Sequence, residues 1–346
     1  MELLVGTYTL PVSGMEGGGE GISAVSFDPE TGGFGAPRPL ARCVNPSCLA
    51  LTPDQMWLFA GREVFAGEDP GVTVFRVGED LVLTEQSHLP LSGELPCHLA
   101  YDTDNNRLAS SQYGTGDLAV SQVVDGCLQP PVYLTRTGSG PNVGRQEGPH
   151  AHFSAFSDAG SVLHLVDLGT DSVTSHRLDG NGQTVEIATL NVSAGAGPRH
   201  MALNRDGTRA HVFCELDESL ITLTRKALGW RISGVQPGFA APDGEDGAGA
   251  AIRLSPDERH IYISGRRQSR IACFAAKNEP EPICEVDCGG VTPREFIVTP
   301  DGNWVISANQ SSGTLTSLRR DPVSGIPTLT PQSCKIKSPV ALIAVP

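Results

Sequence analysis

The sequence carries six copies of one pattern, and this repetition limits the fold more than any other feature. Each copy opens with polar residues beside a Pro or an apolar pair, continues through a short apolar run and an Asp-containing turn, and closes with a second apolar run that ends in a polar residue. The turn aspartates recur every 44 to 54 residues, at Asp54, Asp104, Asp158, Asp206, Asp257 and Asp301. A period of this length indicates an array of similar supersecondary units.

Each copy predicts two antiparallel strands joined by a tight turn. In "GPRHMALNRDGTRAHVFCEL", residues 197–216, strand-forming residues flank an Asp-Gly turn. A third strand follows several copies, as in "LITLTRK" and "RIACFAA". A four-stranded unit of this size is typical of a propeller blade. At about 50 residues a unit, the 346 residues correspond to roughly seven blades.

The two ends of the chain predict the seventh blade. "LLVGTYT" and "GISAVSFDPETGGF" lie at the start and "SPVALIAV" at the finish, and pairing these segments would close the ring and remove an exposed sheet edge. We therefore predict an all-β, seven-bladed β-propeller, closed by the N- and C-terminal strands, as a single domain over residues 1–346. Forty Gly and 26 Pro agree with many short strands and turns. An array of separate β-sandwiches accounts for the strand spacing but not for one repeated turn.

Composition excludes several kinds of partner. A net charge of −14 argues against binding nucleic acid or an anionic membrane. The start of the chain has no basic segment typical of a secretory signal, and no apolar run is long enough to span a membrane, so we expect a cytoplasmic protein. Nine cysteines without a CxxC pair predict buried thiols. Nothing in the pattern predicts an oligomeric state.

Polar side chains recur where the repeat alone would place apolar ones. In a propeller the first strand of each blade lines a central channel, so both its opening and the end of the next strand should reach the channel mouth. The openings carry Ser47, His98, His150 with His152, Arg199 with His200, Arg253 and Arg294. The second strands end in Glu63, Gln112 with Tyr113, Asp167, Glu215, Arg266 and Asn309.

Structural alternatives exist for these residues. His150 and His152, two apart on a strand, face one side as metal ligands do, but no third ligand lies nearby in sequence, so we predict no metal and no cofactor. Glu63 and Glu215 could bond backbone amides at strand ends. Arg253 and Arg294 could pair with acidic neighbours and join blades.

The same segments resemble a known family. "RQEGPHAHFSAF", "GPRHMAL", "IRLSPDERHIYIS" and "TPREFIVTPDGNWVISANQ" are similar to the seven-bladed β-propeller lactonases, a family that includes 6-phosphogluconolactonases and 3-carboxymuconate cyclases. The resemblance covers nearly the whole chain. It implies a lactone hydrolase of the 6-phosphogluconolactonase kind that needs no cofactor and acts on a small anionic lactone.

The resemblance also implies site residues. The family's catalytic positions correspond to His150, Arg199, Glu215 and Arg253. Substrate-binding positions are predicted at His152, Arg266 and Arg294, and the channel argument adds Glu63 and His98. A histidine or glutamate near neutral pKa suits activation of water, and arginines suit an oxyanion or an anionic substrate. His200, the neighbour of Arg199 on a strand, should point the other way as a buried partner.

One departure from the family bears on the substrate. Its last Pro-Arg-His motif reads Pro293-Arg294-Glu295 here. Glu295 could repel a phosphorylated ligand or pair with Arg294, and either outcome predicts weaker use of a phosphorylated lactone. Two other functions stay open: a cycloisomerase acting on a muconate-type dicarboxylate, and a non-catalytic propeller that serves as an interaction platform.

Overall fold

The computed structural model describes residues 1–180, 182–240 and 248–345. Within these ranges the chain is all β, with one 3₁₀ turn at Glu79–Leu81. No helix in the described part of the chain is long and apolar enough to cross a membrane.

Seven antiparallel sheets follow one another along the chain. Their strands have the following bounds. The first three sheets hold β1 (Glu2–Thr7), β2 (Ile22–Ser26) and β3 (Arg38–Ala41); β4 (Pro46–Leu51), β5 (Trp57–Arg62), β6 (Gly71–Val77) and β7 (Leu83–Pro90); and β8 (Pro96–Asp102), β9 (Arg107–Gln112), β10 (Leu118–Val124), β11 (Cys127–Leu128) and β12 (Val132–Leu134). The fourth and fifth hold β13 (Ala151–Ser157), β14 (Val162–Asp167), β15 (Ser172–Leu178) and β16 (Thr184–Asn191); and β17 (Pro198–Leu203), β18 (Arg209–Cys214), β19 (Ser219–Arg225) and β20 (Trp230–Pro237). The last two hold β21 (Gly249–Leu254), β22 (His260–Gly265), β23 (Arg270–Ala275) and β24 (Glu281–Asp287); and β25 (Pro293–Val298), β26 (Trp304–Asn309), β27 (Thr314–Arg320) and β28 (Pro327–Lys335), while β29 (Pro339–Val345) joins the first sheet.

The sheets have the strand order predicted for propeller blades. Each is a meander in sequence order, with two exceptions: β29 precedes β1 in the first sheet, and both β11 and β12 pair with β10 in the third. The first sheet has the order β29-β1-β2-β3, with Glu2 opposite Val345 and Gly6 opposite Ala341. The prediction that the two ends of the chain share one sheet is confirmed.

The chain divides into two compact units. The first unit comprises Met1–Arg42, Ala202–Thr224 and Ile232–Pro346. Its cores lie between successive sheets; one is built around Phe27, Trp304 and Leu342, another around Phe213, Phe239 and Ile263, and a third around Tyr262, Phe296 and Leu318.

The second unit comprises Cys43–Met201 and Arg225–Arg231. Phe59, Leu99 and Leu108 belong to a core shared by the second and third sheets, and Leu118, Leu163 and Leu165 to one shared by the third and fourth. Alternation along the strands places these apolar side chains on the packed faces.

The repeated aspartates act as turn acceptors in most copies. Asp54 Oδ1 accepts the Met56 amide at 3.0 Å, and Asp206, Asp257 and Asp301 accept the amide two residues on in the same way. In the third sheet Asp104 lies in the turn as predicted, but the acceptor is Asp102, which binds the amide of Asp104 itself at 3.1 Å. Asp102 also pairs with Arg107 at 2.7 Å, so its carboxylate joins the turn to the start of β9.

Candidate active site

The strand openings of the second unit bring together a group of rings and one arginine. We call this group the histidine cluster, and it consists of His98, Tyr113, His150, His152, Phe153, Arg199 and His200. Its imidazoles are mostly buried. Four predicted site residues, His98, His150, His152 and Arg199, therefore lie in one contiguous group.

His150 has a defined tautomer. Its Nδ1 lies 2.7 Å from the backbone carbonyl oxygen of Tyr113, which can only accept a hydrogen bond, so Nδ1 carries the proton. In the neutral ring Nε2 then bears the lone pair. Nε2 is buried and makes no hydrogen bond within the described residues. An imidazole held in this way has the form that a general base requires.

Glu147 supplies a negative charge beside His150. Its Oε1 lies 3.4 Å from His150 Nε2, on an exposed side chain. A hydrogen bond from its own backbone, and the neighbouring His150 ring, lower the pKa of the Glu147 carboxyl. The carboxylate is thus placed to stabilise an imidazolium formed at His150.

Two contacts fix the position of the His150 ring. Tyr113 stacks on it with a centroid distance of 4.4 Å and an interplanar angle of 11°. Asp167 Oδ1 accepts the backbone N–H of His150 at 2.8 Å and also binds the amides of Gly169 and Thr170. Asp167, at the end of β14, therefore has a structural role and holds the start of β13.

The other imidazoles continue the group, His152 edge to face and His98 tilted against a ring. His152 meets Tyr113 at 5.5 Å and His200 at 5.3 Å, and His98 lies 4.0 Å from the Phe153 ring. His98 Nδ1 accepts the Ser154 amide at 3.3 Å, which makes this nitrogen the unprotonated one in the neutral ring. Edge-to-face contacts of this kind stabilise the arrangement and order the side chains.

Arg199 and His200 contact each other. Arg199 Nη1 donates to His200 Nε2 at 3.0 Å, and both side chains are buried. The prediction that His200 is buried is confirmed. The expectation that the two side chains point apart is wrong, because the long arginine side chain folds back to the neighbouring ring.

Glu63 is also a residue of the second unit. It is buried, and its backbone is tied to Asn45, whose carbonyl accepts the Glu63 amide and whose side-chain amide donates to the Glu63 carbonyl. Its predicted role in substrate binding stays a prediction.

The first unit holds Glu215 in an ion pair. Arg266 Nη2 lies 2.9 Å from Glu215 Oε2, and the same guanidinium donates to the carbonyls of Ala248 and Gly249. The Gly249 amide in turn donates to the Glu215 carbonyl at 3.1 Å. Glu215 and Arg266, predicted separately, therefore form one ion pair between a buried glutamate and a partly exposed arginine. The pair also anchors the start of β21.

Arg253 pairs with Glu295. Arg253 Nη2 lies 2.6 Å from Glu295 Oε1, and Arg253 Nη1 donates to the Ile252 carbonyl. The expected pairing of Glu295 with Arg294 is thus replaced by one with an arginine of the preceding sheet. Arg294 and Glu295 are neighbours on β25, so their side chains lie on opposite faces of the strand.

Arg294 lies against the N-terminal segment. Its guanidinium carbon is 5.3 Å from the centroid of the Tyr8 ring, and Nη1 is 3.3 Å from the sulfur of Met15. A cation over an aromatic face gains stabilisation without losing its charge.

Sequence reasoning missed Glu147 and Phe153 and left Tyr113 unassigned. Glu147 stands three residues before His150 in "EGPH", and Phe153 follows His152 directly, so proximity was the available signal. Within residues 1–180, 182–240 and 248–345, no group of three or more His, Cys, Asp or Glu side chains has the arrangement of a metal site.

The chain matches a known family over almost its whole length. The family described as "Lactonase, 7-bladed beta-propeller" matches residues 2–344. The 6-phosphogluconolactonase of Bacillus subtilis is 30% identical, over 98% of this chain and 96% of its own length.

Solved structures agree over the full length. The periplasmic gluconolactonase of Pseudomonas aeruginosa has a TM-score of 0.89 and 30% identity, covering 100% of this chain and 99% of its own. A protein from Lactobacillus plantarum gives a TM-score of 0.90 at 26% identity, covering 99% and 98%. The predicted all-β, seven-bladed propeller class is confirmed.

Proposed function

The chain belongs to the seven-bladed β-propeller lactonase family, and we propose that it hydrolyses an anionic sugar lactone, in the first place 6-phosphogluconolactone. The reaction adds water across the cyclic ester and yields a hydroxy acid. The Bacillus relative carries the name of this activity.

One observation carries the proposal. The Tyr113 carbonyl fixes the proton of His150 on Nδ1 and leaves the lone pair on Nε2, 3.4 Å from Glu147. This combination provides a base, an orienting acceptor and a counter-charge, which together suit removal of a proton from water.

The proposed steps follow from that geometry. His150 Nε2 takes a proton from water as the water oxygen attacks the lactone carbonyl carbon. Arg199, anchored on His200, stabilises the negative charge on the carbonyl oxygen. When the ring C–O bond breaks, the imidazolium returns its proton to the departing alkoxide. Glu147 stabilises the imidazolium between these two events.

The ion-paired arginines suggest how substrates are distinguished. Arg266 and Arg253 already face carboxylates, Glu215 and Glu295. We assign Arg266 to holding Glu215, and Arg253 to selectivity, with the strength of its attraction for an anion set by Glu295. His98, His152, Glu63 and Arg294 are assigned to substrate binding.

A second candidate substrate is unphosphorylated gluconolactone. Neutralisation of Arg253 by Glu295 weakens the attraction for a phosphate, which favours the uncharged sugar ring. The Pseudomonas structure, also 30% identical, bears the name of a gluconolactonase.

The test follows acid release from each lactone with a pH indicator, against the spontaneous rate. We expect enzymatic opening of 6-phosphogluconolactone, resistant to EDTA, and a measurable but different kcat/KM for gluconolactone. A substituted muconate, followed by ultraviolet absorbance, should be unchanged. Turnover of the muconate without turnover of either lactone would replace hydrolysis by cycloisomerisation.

We also propose that the protein acts in the cytoplasm. None of the nine cysteines, all of which lie in the described part of the chain, forms a disulfide in the structure, as is usual in a reducing compartment. The Pseudomonas relative is named as periplasmic, so cell fractionation with a periplasmic marker is the direct test.

A further inference from the structure

Two cysteines of the sixth sheet lie directly opposite each other. Cys273 on β23 pairs with Cys284 on β24 in the antiparallel register. Opposed residues have their side chains on one face and their Cα atoms about 4.5–5.5 Å apart. This separation lies within the range of about 4.4–6.8 Å that a disulfide spans without movement of the backbone.

The two thiols also interact. The Cys273 thiol donates a hydrogen bond to the Cys284 sulfur. This contact, together with burial, raises the pKa of the Cys273 thiol, and the same contact lowers the pKa of the Cys284 thiol. Cys284 therefore ionises first. Since the thiolate is the nucleophile in disulfide exchange, Cys284 is the attacking group.

Access to the two sulfur atoms is unequal. Cys273 is fully buried, with its Sγ 3.4 Å from the Gly325 carbonyl. Cys284 is partly exposed and belongs to β24, the last strand in the order β21-β22-β23-β24. A small reagent can reach Cys284 first, and Cys273 then stands beside it as the resolving thiol.

Other cysteines on paired strands have a different neighbour. Cys127 is opposite Val124, and Cys334 is opposite Leu315. Cys127 and Cys334 therefore serve as comparison thiols that have no cysteine opposite them on the paired strand.

We propose that Cys273 and Cys284 form a reversible disulfide, which makes the outer edge of the sixth sheet an exchange site for low-molecular-weight disulfides. The Cys284 thiolate attacks one sulfur of the reagent RSSR, forming Cys284–S–SR and releasing RS⁻. Cys273 then attacks the Cys284 sulfur, so that the S–SR bond breaks, the Cys273–Cys284 bond forms, and the second RS⁻ leaves. The Cys273 proton passes to one released thiolate, and the proton that Cys284 lost on ionising passes to the other. The two cysteines are thus oxidised, and RSSR is reduced to two RSH.

The experiment uses the folded, reduced full chain and oxidised glutathione. After incubation, free thiols are blocked with iodoacetamide, and the protein is digested with trypsin and analysed by mass spectrometry. Cleavage after Arg270, Lys277 and Arg294 separates residues 271–277 from residues 278–294, and the latter peptide also contains Cys288. Linked peptides should have the summed mass less two hydrogens, and dithiothreitol should separate them.

Three variants assign the bond. The linked pair should form in more than half of the wild-type chains and persist in C288S and in C127S, the matched control on another sheet. It should vanish in C284S, which changes a partly exposed edge residue. Linkage that is lost in C288S and kept in C284S would overturn the proposal, as would a stable glutathione adduct on Cys284 with Cys273 still alkylated.

Discussion

Glu295 Oε1 lies 2.6 Å from Arg253 Nη2, so a carboxylate on β25 neutralises an arginine on β21. The resemblance to the lactonase family implies a histidine where this chain has Glu295. The pair links one departure in the sequence to a choice of substrate. Removing the carboxylate should leave the positive charge of Arg253 without a counter-charge from residue 295.

The first prediction concerns Glu295→Gln. We expect kcat/KM for 6-phosphogluconolactone to rise by roughly 3- to 10-fold, because a freed guanidinium attracts the phosphate more strongly. The rate with gluconolactone should stay within about 2-fold, since that ligand has no charge to attract. An equal change for both lactones would count against a role of Arg253 in selectivity.

A second prediction concerns Glu147→Gln. The carboxylate lies 3.4 Å from His150 Nε2 but is exposed, so its effect should be modest and sensitive to salt. We expect kcat to fall by about 2- to 5-fold at low ionic strength, and the difference from wild type to shrink at about 0.5 M NaCl. Loss of activity that is independent of salt would point to a structural role instead.

Stability should fall below neutral pH because three histidines are buried in the neutral form. Burial lowers the pKa of His164 to about 3, and that of His176 and His211 to about 4, from 6.5. Between these folded pKa values and 6.5, the unfolded chain therefore binds more protons than the folded chain. The stabilisation present above pH 6.5 is lost as the pH falls through this range. Each histidine changes the free energy of unfolding by at most about 1.4 kcal/mol per pH unit.

Urea unfolding between pH 7.5 and 5.0 measures this effect. The free energy of unfolding should decrease with a limiting slope of about 4 kcal/mol per pH unit for the three groups together. His211→Gln should reduce the slope by about a third. A flat profile across this range would show that these rings accept protons in the folded state.

Arg320 should be essential for stability. This buried side chain donates to the Tyr262 hydroxyl at 2.7 Å and the Gly302 carbonyl at 2.8 Å, and it pairs with Asp257 at 3.2 Å. Arg320→Met should lower the free energy of unfolding by about 3 kcal/mol or more, because it leaves these partners without their hydrogen-bond donor. Arg319→Met, on the exposed face of β27, is the matched control and should cost less than about 1 kcal/mol. Equal losses would contradict the assignment.

The blade pattern could be predicted from sequence because strand alternation and turn chemistry are local. The Asp turns at Asp54 and Asp206 and the strands around them follow from a few neighbouring residues. The aspartate that accepts the turn amide in the third sheet could not be predicted, since Asp102 and Asp104 are two residues apart at the same turn and the pairing of Asp102 with Arg107 is a tertiary contact.

For the candidate site residues, the sequence predicted which positions to consider but not the side chains or backbone groups that they contact. His150 and Arg199 were identified from repeated strand openings and family motifs. The Arg253–Glu295 and Arg266–Glu215 pairs join side chains 42 and 51 residues apart, and nothing local in the sequence selects those partners. The Tyr113 carbonyl that sets the His150 tautomer is a backbone group, which residue type does not reveal.

The central claim is that His150 is the general base of a lactone hydrolase. Its most direct test is kcat for 6-phosphogluconolactone in wild type and His150→Gln at neutral pH, with folding checked by circular dichroism and thermal unfolding. We predict a loss of about 10²- to 10⁴-fold in kcat with the fold retained. A folded His150→Gln protein within about 3-fold of the wild-type kcat would contradict the account.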